Sequence, residues 1–457
     1  MKQSAFAVFW LLVASQFCFS AEAAEARGGI RLYGATAHLT GAARFEGGPK
    51  WLVATGQSAI GWTTYVSEEG EYRITVVHAS DAPSTAFALA VGSSMLNGTL
   101  ATQPGVFEDP LINFGRTIVA DRVRLGKGPL RVQLEFPKIA GQLRIRSIEL
   151  LPVDVVADVE GARQRVSTDW LARAAYGVMF HWTSESQPRH GPAASYEEAV
   201  KKFDAVSFAR MVQETGAAYV IFTVNHAKPH CPAPIASWER IHPGSTTRRD
   251  LLADIAKALA AREIRLTLYI ASHTLGELGD SSDAQYFQIH ADVLSEIGER
   301  YGNRVAGYWF DGWYQSSEAY PRIDLRKLIP HVRAGNPSRI VAYNFWVYPV
   351  ETAWQDYWAG EVGGVVRYAE GRYAQTGSAI GLQNHFLLFA DAPWVHSAPN
   401  AEMEPLRFSD RDLIDFVRMN AKHHVPVTIN LGIYQDGTIG EAARRQMTAL
   451  RQAIRGH

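Results

Sequence analysis

AYGVMFHW, residues 175–182, is a near-continuous apolar run that stops at an imidazole and an indole. A strand with one wet face would alternate polar and apolar residues, and this run does not. It reads as a strand covered on both faces, the habit of parallel sheets. The same rhythm recurs downstream. A helical stretch over 195–214 leads to the run 218–224, and a helix over 249–262 leads to 265–270. An amphipathic helix through 293–301 leads to 305–310, with its own helix over 324–333. Further runs at 339–344, 356–361, 386–390 and 426–431 precede a last helix at 441–454. About eight strand–helix units in roughly 290 residues predict an α/β fold of the TIM (β/α)8 type over residues 165–457.

Upstream the periodicity changes. Between residues 28 and 153, short alternating runs such as Thr63–Val66, Glu71–Val77 and Leu130–Leu134 recur between turn residues. That spacing predicts an all-β sandwich ahead of the barrel. A polar, charged linker near 153–167 separates the two. A chain of 457 residues fits two domains better than one core.

Residues 1–26 read as an export signal, with Lys2, an apolar segment from Ala5 to Val13, and small residues offering cleavage sites after Ser20. The apolar part is shorter than the ~20 residues a membrane span needs. The mature protein is therefore expected to be exported, periplasmic or secreted. Cys18 leaves with the signal, so Cys231 has no partner for a disulfide. The net charge of -1, without runs of one sign, argues against nucleic acid as a partner. His190, His230, Cys231 and His242 follow no familiar metal spacing, and neither metal nor cofactor is expected.

In such a barrel the active site lies at the carboxyl ends of the strands. Those positions hold His181 and Trp182, Asn225 and His226, Ser272 and His273, Asp311, Asn344 with Phe345 and Trp346, Trp358 and Glu361, and His385, Asp391 and Trp394. Forked donors and acceptors beside aromatic rings suit a sugar. Glycoside hydrolysis ordinarily uses two carboxyl groups, one as nucleophile or base and one as general acid. Asp311, at the end of the run Val305–Phe310, is the nucleophile candidate, held ionised by hydrogen bonds from neighbouring histidines. Glu361 is the choice for the acid, with Glu370 and Glu185 behind it. Singly, each residue also has a structural reading: an Asp after a strand caps a helix, a His satisfies a core, a Trp fills one. The case rests on their co-occurrence at successive strand ends.

At this point the sequence resembles the α-L-fucosidases of glycoside hydrolase family 29 over roughly residues 165 to 455. Asp169–Trp182 is similar to the family's W-F-x-x-A-K-F-G-I-F-I-H-W-G opening, and Tyr219–His226 to its strand ending K-H-H-D-G-F. Trp309-Phe310-Asp311-Gly312 matches its W-F-D-G, and Asn430-Leu431-Gly432 with Asp436–Ile439 its close N-x-G-P-x-x-D-G-x-I. The resemblance implies retaining, metal-free exo-hydrolysis of α-L-fucosyl groups by double displacement, with fucosylated or related glycans as partners. It implies Asp311 as nucleophile, His181 and His226 on sugar hydroxyls, and Trp309 lining the pocket. Asp356–Glu361 is similar to the family's D-Y-x-T-P-E segment, which supports Glu361. Trp182, His273 and Trp346 complete the expected substrate-binding set.

The departures concern the grip on the sugar. The paired His of the family becomes His226-Ala227, the Gly after the first His-Trp is Thr183, and Ile270 and Phe345 replace an expected Tyr and Arg. A hydrolase of another deoxy- or modified sugar, or an inactive glycan-binding protein, is the alternative. The family commonly carries its sandwich after the barrel, whereas here the all-β region, similar to carbohydrate-binding jelly rolls through Ile60–Val66, comes first. Trp51, Trp62 and Tyr65 are its candidate sugar platforms, with Trp62 better suited to the core.

Overall fold

The computed structural model describes residues 29–33, 36–46, 51–81, 84–101, 115–154, 166–276, 282–313, 316, 325–344, 354–363, 371–373, 382–391 and 394–456. The export segment, most of the linker, Trp346 and Glu370 lie outside the described residues.

The N-terminal region is antiparallel throughout. Its strands are β1 (Ile30–Tyr33), β2 (His38–Gly41), β3 (Arg44–Glu46), β4 (Trp51–Val66), β5 (Gly70–Ser80), β6 (Thr85–Val91), β7 (Ser94–Leu100), β8 (Gly115–Leu125) and β9 (Gly128–Pro152). β9 is long enough to serve two layers. Its first part pairs with β4 and β6, and its second with β1 and β5. Register shifts in β4 around Gly56 let the ladder bend between them. Inward residues of both halves, among them Ile60, Trp62, Leu134, Ile74 and Ile148, form one apolar core. Trp62 is buried there, Trp51 is half-buried, and Tyr65 alone of the three aromatic candidates is open to solvent, at 50%. Val77 and Ala79, on the opposite face of β5 from Ile74 and Val76, join the apolar cluster of the following region instead.

The second region is built on eight parallel strands: β10 (Tyr176–Phe180), β11 (Tyr219–Thr223), β12 (Arg265–Ala271), β13 (Val305–Asp311), β14 (Ile340–Tyr343), β15 (Glu361–Gly363), β16 (Phe386–Phe389) and β17 (Val427–Asn430). They lie in the order β14-β13-β12-β11-β10-β17-β16-β15, a single curled parallel sheet. No ladder joins β14 to β15 among the described residues. Asn344 reaches the start of β15 by donating to Glu361 Oε2 at 2.6 Å, and Asp356, ahead of β15, is tied to β14: its N–H donates to the Val341 carbonyl at 2.8 Å, and the Val341 N–H donates to Asp356 Oδ2 at 2.9 Å.

Period-2 alternation sorts the side chains of these buried strands. Val178, Phe180, Val220, Phe222, Leu268, Phe310 and Ile429 point outward to the helices. Met179, Ile221, Tyr269, Trp309, Ala342 and Leu387 point inward. The helices start where the chain supplies a cap. Ser195 accepts from Glu198 N, Asp250 from Ala253 N, and Ser282 forms a capping box with Gln285. The single helix expected over 195–214 is two, Tyr196–Lys202 and Ala205–Thr215. Asp204 breaks it by accepting from the N–H groups of Val206 and Ser207 to start the second. Among the described residues no helix follows β14 or β15 before the next strand, and none is long and apolar enough to cross a membrane.

Candidate active site

Strand parity decides which side chains meet above the sheet. Trp309 faces inward, so Asp311, two residues on, does so at the point where β13 ends. Tyr269 is the register partner of Trp309, and their rings stack at 5.3 Å with 17° between planes. From one pleat lower, the phenol reaches up and donates to Asp311 Oδ2 at 2.5 Å. Ala271, paired directly with Asp311, is small enough to leave that path open. On the next strand Asn344 follows two residues after inward Ala342. Its Nδ2 donates to Asp311 Oδ1 at 2.9 Å and to Glu361 Oε2 at 2.6 Å.

Glu361 is brought in by its own foundations. Trp309 Nε1 donates to the Ala359 carbonyl at 3.1 Å, and His385 Nδ1 meets the Trp358 and Ala359 carbonyls at 3.0 Å each. Gly360 then turns at φ +72, where an added Cβ would lie 2.2 Å from the His385 carbonyl oxygen. Only glycine passes there without strain. Glu361 is the first residue of β15, not the last residue of a strand as expected, whereas Asp311 does end β13.

Sharing one donor nitrogen limits how far apart the two carboxyl groups can be. The bond lengths cap the Oδ1–Oε2 separation at about 5.5 Å, against roughly 5–5.5 Å for retaining glycosidases and 6.5–9.5 Å for inverting ones. Desolvation, then the Asp311 charge, push Glu361 from 4.5 up to about 8, against the pull of Asn344. Glu361 therefore keeps its proton at neutral pH while facing a carboxylate. Two carboxyl groups whose environments separate their proton affinities are the requirement for acid and nucleophile roles.

The histidines ring this pair without bonding to it. His181 is fully buried, with its Nδ1 donating to Asn430 Oδ1 at 3.0 Å, which leaves Nε2 as an acceptor without a partner among the described residues. Its ring lies 4.6 Å from Tyr269 and 4.6 Å from half-buried Trp394. Burial pushes His181 well below its usual range, helped by His226, and also lowers His226 and His273 against the pull of Asp311. At neutral pH these are uncharged imidazoles, and His226 Nδ1 and His273 Nδ1 are also unpartnered. His273 lies against Gly312, which takes φ +66 and whose added Cβ would fall 2.0 Å from His273 Nδ1. Asn225 holds the loops that carry both rings. Its Oδ1 accepts from Ala271 N at 2.9 Å and its Nδ2 donates to Thr274 Oγ1 at 2.7 Å, while that hydroxyl donates to the His226 carbonyl.

Several expectations need correcting. The donors to Asp311 among the described residues are Tyr269 and Asn344, not histidines, because a phenol one pleat down and an amide on the adjoining strand point at its oxygens. Trp182 is placed on the outer side of the sheet. As the immediate neighbour of inward His181 it faces the other way, packs on Phe203 and Phe222, and donates its indole N–H to the Gln435 carbonyl. Glu185 is paired with Lys228 at 3.6 Å. Glu370 and Trp346 lie outside the described residues. Tyr269 was missed altogether, although its place two residues before the end of a buried strand puts it on the inner face. Among the described residues no group of three or more His, Cys, Asp or Glu is arranged to hold a metal ion.

Comparison with known proteins places this site in context. Residues 162–361 match the family model for alpha-L-fucosidase, a segment that ends on Glu361 and contains Asp311. The resemblance seen in the motifs therefore holds for that segment, whose family is one of glycoside hydrolases. No curated protein matches the sequence. Among solved structures the chain is similar to a family 29 α-L-fucosidase from Bacteroides thetaiotaomicron trapped as a covalent intermediate, at 14% identity and TM-score 0.46, covering 63% of this chain and 74% of that one. It is similar to an α-L-fucosidase from Lactobacillus casei in complex with α-L-fucose, at 15% and 0.41, covering 62% and 96%. It is also similar to an endo-fucoidan hydrolase of family 107, at 13% and 0.49, covering 63% and 94%.

Proposed function

We propose that this chain, which carries an α-L-fucosidase-family segment, is an exported retaining exo-α-L-fucosidase acting through Asp311 and Glu361. The observation that carries this is the shared donor of Asn344, which keeps Asp311 Oδ1 within about 5.5 Å of Glu361 Oε2 while burial leaves Glu361 protonated at neutral pH. In the first step Asp311 attacks the anomeric carbon as Glu361 gives its proton to the departing glycosidic oxygen. A glycosyl ester forms on Asp311 and the aglycone leaves as an alcohol. In the second step the Glu361 carboxylate takes a proton from water. The water oxygen attacks the anomeric carbon, and Asp311 is released with net retention. His181 Nε2 accepts a hydrogen bond from a sugar hydroxyl, and the half-buried face of Trp394 packs on the C–H side of the ring.

Turnover of an aryl α-L-fucoside, with the anomer of the first product read by proton NMR, tests the reading. Retained product from the wild type and none from Asp311→Ala supports it; inverted product refutes the mechanism. A carboxyl pair bridged by one amide, with Glu361 protonated, weighs against the non-catalytic alternative, because an inert lectin has no need of a carboxyl group held protonated at neutral pH. The replacement of a second histidine by Ala227 favours, as the second reading, a related deoxy sugar with one hydroxyl oriented differently. A panel of aryl glycosides distinguishes the two. Export rests on residues 1–26, and the N-terminal sequence of protein recovered outside the cytoplasm should begin between residues 21 and 27.

A further inference from the structure

We propose that Asn344 is a positioning residue that serves both carboxyl groups through the whole reaction, one N–H of its carboxamide on each. The inference rests on the double-displacement reading above and assigns a role to a residue outside the nucleophile–acid pair.

Asn344 is buried, and its backbone N–H is held by the Phe310 carbonyl at 2.7 Å, so its side chain is anchored to the strand that carries Asp311. Its Nδ2 bears two hydrogens, and both are used: one on Asp311 Oδ1, one on Glu361 Oε2. The opposite orientation of the amide would set its oxygen against two carboxyl oxygens, leaving at most the one proton of Glu361 to bridge them.

Double displacement moves a negative charge. It lies on Asp311 at rest, on Glu361 while the glycosyl ester exists, and on Asp311 again at the end. A donor shared by both stabilises whichever group is ionised without moving between the steps, which is the condition for electrostatic preorganisation. A lysine or arginine here would bias the pair by holding Glu361 ionised, and the proton for the leaving group would be lost. A neutral amide donates to the anion and leaves that proton in place. Tyr269 makes the contrast, because its hydroxyl bonds to Asp311 and not to Glu361 among the described contacts.

The test separates this role from plain support of the fold. In Asn344→Ala each carboxylate loses an N–H donor, so both gain proton affinity. Both limbs of the kcat/KM profile should then move to higher pH, with kcat down about 10²–10³-fold, the usual loss when one preorganised donor is removed. Asn344→Asp keeps the shape of the side chain, removes the donor and adds charge, and should move both limbs further in the same direction. Tyr269→Phe should move the acid limb alone. Loss of rate with unmoved limbs, or movement of one limb only in both Asn344 variants, overturns the proposal. The carboxyl carbon of Glu361 in glutamate-labelled protein, titrated by NMR in wild type and variants, reads the same linkage without turnover. If the wild type fails to hydrolyse the fucoside, the functional reading falls, while an upward shift of Glu361 in Asn344→Ala still supports the bridge. An unchanged Glu361 titration refutes it.

Discussion

Replacing Glu361 by glutamine is expected to stabilise the protein at alkaline pH, and the size of the effect follows from the site. The carboxyl group ordinarily loses its proton near 4.5 and here does so at about 8, chiefly because it is desolvated and secondarily because Asp311 faces it. That rise of about 3.5 pH units corresponds to up to about 5 kcal/mol at about 1.36 kcal/mol per unit. The folded protein binds this proton more tightly than the unfolded chain, so Glu361's contribution is fully present below about 4.5 and is lost as pH rises through about 8. Glutamine has the shape of the protonated acid and nothing to titrate. The stability of Glu361→Gln relative to wild type should therefore climb between about pH 5 and 8 and level off above. Guanidinium unfolding of both proteins across pH 5–9, followed by tryptophan fluorescence, measures the difference. With Asp311→Asn in both proteins, the midpoint of the difference should fall only part of the way, because burial, the larger cause, remains. Parallel stability curves at every pH would refute the reasoning, since they would mean that Glu361 is solvated and holds no proton at neutral pH.

Other expectations follow from single contacts. Gly312→Ala must place a Cβ at φ +66 against His273 Nδ1, and should cost about 1–3 kcal/mol of stability together with most of the activity, read by thermal melting and turnover. Trp394→Ala removes a half-buried ring from above His181, and should raise KM about tenfold with a smaller change in kcat, as expected if the ring contributes mainly to ground-state binding of the sugar. Asp204→Ala removes an exposed N-cap that makes no contact with Asp311 or Glu361, and should cost about 1 kcal/mol in unfolding experiments while leaving kcat/KM unchanged.

What could be read without the fold is the repeating unit and the address of its chemistry. Buried parallel strands are written as short apolar runs, and helices as caps followed by a 3.6-residue pattern, so seven of the eight strands and the all-β region ahead of them were legible, while the sixth lies at Glu361–Gly363, past the run expected at 356–361. Asp311 was legible as a position for the same reason, since it ends a run whose type is decided locally; Glu361 was expected to end a run and opens a three-residue strand instead. The pairing of Trp182 with His181 as one sugar-binding unit was not, because adjacent residues on a strand face opposite ways and a motif does not say which side is inward. The break at Asp204 in the expected long helix was a local signal, since a capping side chain competes with the helix for the same N–H groups. Tyr269 and Asn344 are a different matter. Their importance lies in register, which sets Tyr269 beside Trp309 and Trp309 beside Ala342, and hence a phenol and an amide around one aspartate. Residues 269, 311, 344 and 361 are dozens of positions apart or on separate strands, and nothing local encodes a distance between them. The proton on Glu361 depends in turn on that distance and on the water excluded around it. The amino-acid sequence determined which chemical groups are present and which elements carry them; the tertiary structure decided which groups touch, and desolvation at the point of contact made one carboxyl group an acid beside another that is its partner.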